Sequence, residues 1–239
     1  MKNLRTSFFF ALSLFAATAA VRADQSLSDL NGLINSAKGW LLDYQSNPKK
    51  AIPTDVFEKA RGIFFYQVVG GSFIIGAQGG EGFAMIREEG GDWSPPVFFN
   101  VGSGSFGAQI GGGQTTVLMF LMNDEGLDIL KKDQTTWSGT AKAIGGPSSA
   151  SASSDWSGDA TSKQNSKYGA ADIFYYVTAS GLEASAAVKG TESNYDQAAT
   201  DLYYNKSGLT REAVFGHAVK MPENAGSFVA LLNRFAAGQ

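Results

Sequence analysis

Leu27, Leu30, Leu33, Ile34, Ala37, Trp40, Leu41 and Tyr44 recur at the i, i+3, i+4, i+7 spacing that lays apolar side chains along one side of a helix. Asn47-Pro48 stops the pattern, and Lys49-Lys50 follow at once. The polar side of this helix carries Asp29, Lys38 and Asp43, so it is amphipathic without being basic. A second, short helix is predicted from Pro53 through Val56, Phe57 and Ala60. The texture then changes to short apolar runs at 62–69, 73–78, 83–88, 97–101, 106–110 and 115–122. Gly70-Gly71, Gly79-Gly80, Gly90-Gly91-Asp92, Gly102-Ser103-Gly104 and Gly111-Gly112-Gly113 separate them. Close spacing with glycine punctuation predicts antiparallel hairpins. The unbroken run Val117-Leu118-Met119-Phe120-Leu121-Met122 predicts a strand buried on both faces.

The second half returns to mixed structure. A capped helix is predicted over 123–132 and a strand over 137–144. The stretch 145–170 is rich in serine, alanine and small polar residues and reads as a long loop or flap. A hairpin over 173–178 and 182–188 turns near Ser180-Gly181, and helices follow over 195–203, 211–215 and 223–235. The expected fold is a single α+β domain: a central, strongly bent antiparallel β-sheet or barrel flanked by N- and C-terminal helices. A small outer-membrane β-barrel is the weaker alternative. Helical segments at both ends and solidly apolar strands argue against it.

The first 23 residues are expected to lie outside that domain. Lys2 and Arg5 precede an apolar run of about 14 residues, and Val21-Arg22-Ala23 offers a cleavage site, the pattern of a signal peptide. The run is short of the ~20 residues a spanning helix needs. Residues 24–239 are then the mature, exported protein, periplasmic or peripherally membrane-associated. Without Lys2, Arg5 and Arg22 the 19 basic residues fall to 16 against 22 acidic ones, a net charge of −6. That balance lacks the electrostatic footprint of a nucleic-acid binder, so no nucleic-acid partner is expected.

Composition removes much familiar chemistry. There is no cysteine and only one histidine among 239 residues, which excludes disulfides, thiolate nucleophiles and His–His metal pairs. No cofactor, metal site or catalytic residue is expected. Gly102-Ser103-Gly104-Ser105-Phe106-Gly107 matches G-x-G-x-x-G, but it lies between two strand-like runs and reads as a hairpin turn. His217 in Gly216-His217-Ala218 reads as a turn residue just past a short helix. Glu81, Glu88, Glu89 and Asp92 read as solvated charges at hairpin ends. Asn205-Lys206-Ser207 is a glycosylation sequon. The 29 glycines fit a tightly bent sheet.

The order of several short segments carries more. Ile52-Pro53 and Ala60-Arg61-Gly62-Ile63 come first, then Gly79-Gly80-Glu81-Gly82 and Asp92-Trp93-Ser94-Pro95-Pro96. Gly104-Ser105-Phe106-Gly107-Ala108-Gln109-Ile110-Gly111 and Gly145-Gly146-Pro147 follow. Gly181-Leu182-Glu183-Ala184-Ser185, Asn194 and Tyr203-Tyr204 complete the series. Over 36–235 it resembles the SYLF domain family, of which exported, stand-alone members are typical of bacteria. The resemblance implies a non-enzymatic module that binds phospholipid head groups, phosphatidylinositol phosphates in eukaryotic members and actin in some fungal ones. In those members a basic N-terminal helix makes the lipid contact. The matching Ser36-Ala37-Lys38-Gly39-Trp40-Leu41 holds one lysine flanked by acids, which argues against phosphoinositide and actin as partners here.

The expected function is therefore non-catalytic binding to the anionic phospholipid surface of a bacterial cell envelope. Trp40 is the expected interfacial anchor, with Lys38, Lys49, Lys50 and Arg61 near head groups. The alternative is an envelope structural module that binds a protein partner.

Overall fold

The computed structural model describes residues 25–70, 77–87, 91–104, 114–132, 134–136, 143–146, 171–179 and 191–239. Helix α1 spans Leu27–Ser46. Ser26 accepts from the Asp29 N–H while the Asp29 carboxylate accepts from the Ser26 N–H, a reciprocal cap that satisfies two backbone donors. Helix α2, Thr54–Lys59, starts behind Pro53. Eight strands follow: β1 Gly62–Gly70, β2 Ala77–Ile86, β3 Val97–Gly104, β4 Gln114–Leu121, β5 Gln134–Thr136, β6 Ala143–Gly145, β7 Ile173–Ala179 and β8 Thr191–Tyr195. Between β4 and β5 lie α3, Asp124–Leu127, and a 3-10 turn, Asp128–Lys131. The chain closes with α4 Gln197–Tyr204, α5 Arg211–Phe215 and α6 Glu223–Ala236.

The strands form one strongly curled half-barrel sheet in the order β5-β8-β3-β2-β1-β4-β7-β6. Every pair is antiparallel except β6 with β7, which is parallel. Alternation sorts the side chains into two buried layers. Ile63, Phe65, Phe83, Met85, Phe98, Leu118, Phe120, Phe174 and Tyr176 face α1, α2, α4 and α6. Phe64, Tyr66, Val97, Phe99, Val117, Met119 and Leu121 face α3, the 3-10 turn and α5. β4 shows the consequence, since all seven residues after Gln114 are buried, as the unbroken apolar run predicts.

The α+β class and the bent sheet follow the sequence reading, and several boundaries do not. Gly79-Gly80 is no turn; it lies inside β2, opposite Val69 and Val68 of β1. A Cβ on Gly80 would stand 2.0 Å from the Gln67 carbonyl oxygen, and one on Gly82 2.8 Å from that of Phe65. These glycines let two backbones crowd where the sheet curls. Gly102-Ser103-Gly104 likewise continues β3 instead of turning. The predicted helix 123–132 splits into α3 and the 3-10 turn. Of the predicted strand 137–144 only 143–144 falls among the described residues, in β6. β5 and β8 carry no apolar alternation: the buried residues of β8 include Thr191 and Ser193. Residues 73–76, 106–110, 147–170 and 182–188 lie outside the described residues.

Candidate functional site

Helix α1 is the element on which the expected contacts converge, and its two flanks differ. Leu30, Leu33, Ile34, Ala37 and Leu41 are buried along its centre line. At 3.6 residues per turn, Lys38 and Trp40 point about 160° apart on either side of that line. Trp40 is half-buried against the sheet. Its ring stacks on Tyr44 at 4.7 Å and meets Phe65 edge-on at 6.4 Å. Its indole N–H donates to Thr178 Oγ1 at 3.0 Å. This flank is also acidic, because Asp29 stands near Glu81 of β2.

The opposite flank opens into a cleft of about 540 Å³ between α1, Tyr203 of α4 and the first turn of α6. Leu27, Asn31 and Lys38 form one wall, and Glu223 and Asn224 the other. A hydrogen-bonded chain fixes the polar groups in it. The Tyr203 hydroxyl donates to Asn224 Oδ1 at 2.6 Å, Asn224 Nδ2 donates to Asn31 Oδ1 at 2.6 Å, and Asn31 Nδ2 donates to the Leu27 carbonyl at 2.9 Å. Burial pushes the Tyr203 phenol up to about 12, against the opposing pull of its bond to Asn224. Leu27 at the rim is 47% exposed, as is Leu42 on the same flank. Lys38 and Glu223 both reach the cleft, and among the described residues neither has an ion-pair partner.

The remaining cations are dispersed. Lys49 and Lys50 are exposed in the turn after α1, which Asn47 shapes by accepting from both of their backbone N–H groups. Roughly 12 Å of helix separates Lys38 from the end of α1. Arg61 precedes β1 and pairs with Asp124 at 3.3 Å, while its buried Nε has no partner. Lys38 and Trp40 thus lie on different flanks of α1, Lys49 and Lys50 in the turn beyond its end, and Arg61 in an ion pair before β1. Two arginines serve the fold instead. Arg87 caps the end of α2 by donating to the carbonyls of Phe57, Glu58 and Ala60, and Arg211 donates to those of Lys131 and Lys132.

His217 and Glu81 each have a defined place in the fold. His217 (φ 61°) is the left-handed residue that ends α5; the 217 N–H bonds the Val214 carbonyl and the 218 N–H bonds that of Ala213. Its side chain is exposed, as a turn residue requires. Glu81 is not a solvated turn charge. It sits mid-strand between Gln67 and Asn100, faces the helical layer and accepts from Gln25 Nε2 at 2.8 Å. Burial first, then Asp29 and Asp196, push its carboxyl up, and Gln25 opposes them. Asp92 is exposed, and Glu88 and Glu89 lie outside the described residues. Among the described residues no group of three or more His, Asp or Glu side chains could hold a metal ion. No described helix is long and apolar enough to cross a membrane.

A family model described as Las17-binding protein actin regulator (Ysc84) matches residues 102–235. The chain belongs to this family. The SYLF resemblance read from the segment order is thereby shown. Among curated relatives, SH3 domain-containing YSC84-like protein 1 of Rattus norvegicus is 24% identical over 192 residues, covering 80% of this chain and 54% of the relative. The Homo sapiens protein of the same name is 23% identical over 192 residues, covering 80% and 53%. LAS seventeen-binding protein 3 of Saccharomyces cerevisiae is 25% identical over 143 residues, covering 59% and 30%. The chain thus spans about half the length, or less, of these Ysc84-family relatives. No solved structure matches.

Proposed function

We propose that this Ysc84-family chain is a non-catalytic phospholipid-binding protein, exported by its N-terminal segment and acting at the surface of a bacterial cell envelope. The observation that carries the reading is the turn after α1. Lys49 and Lys50 stand side by side there, exposed and without an ion-pair partner among the described residues. Lys38 adds a third free cation on the open flank of α1. Juxtamembrane lysines contribute about 1 kcal/mol each on an anionic surface, so the affinity is modest and falls with salt. Arg61, paired with Asp124, contributes less. Trp40 supports the surface from beneath by holding α1 to the sheet. Among the described residues both layers of the sheet are packed against helices or turns, and the surface assigned to the contact is α1 with the turn after it.

Co-sedimentation with vesicles tests the reading, using protein recovered in its processed form from expressing cells. Binding to phosphatidylglycerol vesicles that fades as salt rises is the expected result. Lys49→Gln with Lys50→Gln should weaken it roughly 30-fold at low salt. Mass spectrometry of the same protein should give a chain starting at Asp24, and an intact Met1 would refute export by cleavage.

A second reading rests on the family's description as Las17-binding actin regulators and on the yeast relative named for binding LAS seventeen. A protein-interaction module of the envelope would capture a partner from envelope extracts and ignore pure lipid vesicles.

A further inference from the structure

Lys38 and Glu223 face one cleft from opposite walls, and they do not pair with each other or, among the described residues, with any other charge. Opposite charges held apart across a polar cleft match a ligand that carries both signs. We propose that the cleft between α1 and the first turn of α6 is a headgroup site for phosphoethanolamine, with Lys38 taking the phosphodiester and Glu223 the primary ammonium. The proposal rests on the phospholipid reading above and names the headgroup class for it.

The surroundings narrow the ligand further. At about 540 Å³ the cleft lies within the roughly 300–1,000 Å³ range of small-molecule sites. Its polar groups are pre-set by the Tyr203–Asn224–Asn31 chain, so a headgroup meets donors and acceptors already held in place. A choline headgroup has no N–H to give Glu223, and quaternary ammonium groups are held by cages of aromatic rings. Among the described residues Tyr203 is the one aromatic lining this cleft, and its hydroxyl is already engaged. A glycerol headgroup would leave the Glu223 carboxylate unanswered beside a phosphate. Leu27, 47% exposed at the rim, offers an apolar step toward the acyl region.

The test uses the cell-processed protein with vesicles of phosphatidylcholine alone, phosphatidylcholine with phosphatidylethanolamine, and phosphatidylcholine with phosphatidylglycerol. Soluble glycerophosphoethanolamine and glycerophosphocholine are titrated in parallel by NMR. The expected result is a preference for phosphatidylethanolamine over phosphatidylcholine that falls about tenfold in Glu223→Gln and survives in Glu223→Asp, with Lys38→Gln weakening the same binding. Circular dichroism checks that each variant is folded. Equal binding of the two zwitterionic lipids, or an unchanged preference in a folded Glu223→Gln, overturns the proposal. Binding confined to phosphatidylglycerol vesicles overturns it and leaves the membrane reading standing. Resonance shifts with glycerophosphoethanolamine, lost in Glu223→Gln, support the cleft even if no vesicle binds, in which case the membrane reading fails. Neither vesicle binding nor shifts overturns both.

Discussion

The two flanks of α1 are built from the same twenty-residue helix and do opposite work. On one, Trp40 stacks on Tyr44 and gives its N–H to Thr178, and Asp29 lies near Glu81. On the other, Lys38 reaches an open cleft whose far wall comes from residues nearly two hundred positions later. The difference teaches that an aromatic residue on an amphipathic helix is not a surface anchor by composition alone. Where the sheet offers a ring and a hydroxyl, the aromatic is drawn in, and the opposite flank of the helix is left open.

The largest effect that separates buried from open positions is expected for two adjacent leucines. Leu41 is fully buried, and Leu41→Ala should cost about 3 kcal/mol in urea unfolding. Leu42 is 47% exposed, and Leu42→Ala should stay within about 0.5 kcal/mol. Similar losses for the two would erase the distinction. Next, Trp40→Phe keeps most of the packing and loses the bond to Thr178, for about 1 kcal/mol. Tyr203→Phe, which loses the donor to Asn224 on the cleft side, should cost a similar amount by the same measurement. A Tyr203→Phe variant as stable as wild type would show that the polar chain does not hold the cleft.

The smallest effect is a pH dependence on the packed flank. Glu81 has a raised carboxyl pKa, chiefly through burial, so the folded state holds its proton more tightly than the unfolded chain. The stabilisation is fully present below the ordinary value of 4.5 and is lost as pH rises through the raised folded value. Glu81→Gln should therefore flatten the fall in stability across that interval in a pH series of thermal melts. A variant whose melts fall as steeply as wild type would remove Glu81 from the account. Lys38→Gln, on the open flank, should leave the same profile unchanged.

Much of the architecture is legible in the chain. The periodicity from Leu27 to Tyr44, the unbroken apolar β4 and the helices over 211–215 and 223–235 all lie where local pattern puts them. Glycine misled at Gly79-Gly80 and Gly102-Ser103-Gly104, because in a curled sheet it marks close backbone approach as readily as a turn. Polar strands such as β8 have no local signal, since Thr191 and Ser193 are buried by contacts that only the folded chain makes, Thr191 beside the Tyr66 hydroxyl. That Lys49 and Lys50 stand in a turn after α1 is legible from Asn47-Pro48, whereas the packing of Trp40 on the sheet and the pairing of Arg61 with Asp124 are not.

The sequence by itself determined the family, the α+β class, the amphipathic α1 and the lack of cysteine chemistry. Each rests on local spacing, composition or segment order, which need no knowledge of what packs where. Tertiary structure decided which flank of α1 stays open and that Glu223, Asn224 and Tyr203 stand across from Lys38. It also decided that Glu81 is half-buried within the sheet. Those outcomes depend on contacts between segments far apart in the chain, set by how the helices close over a curled sheet, and no local pattern encodes them.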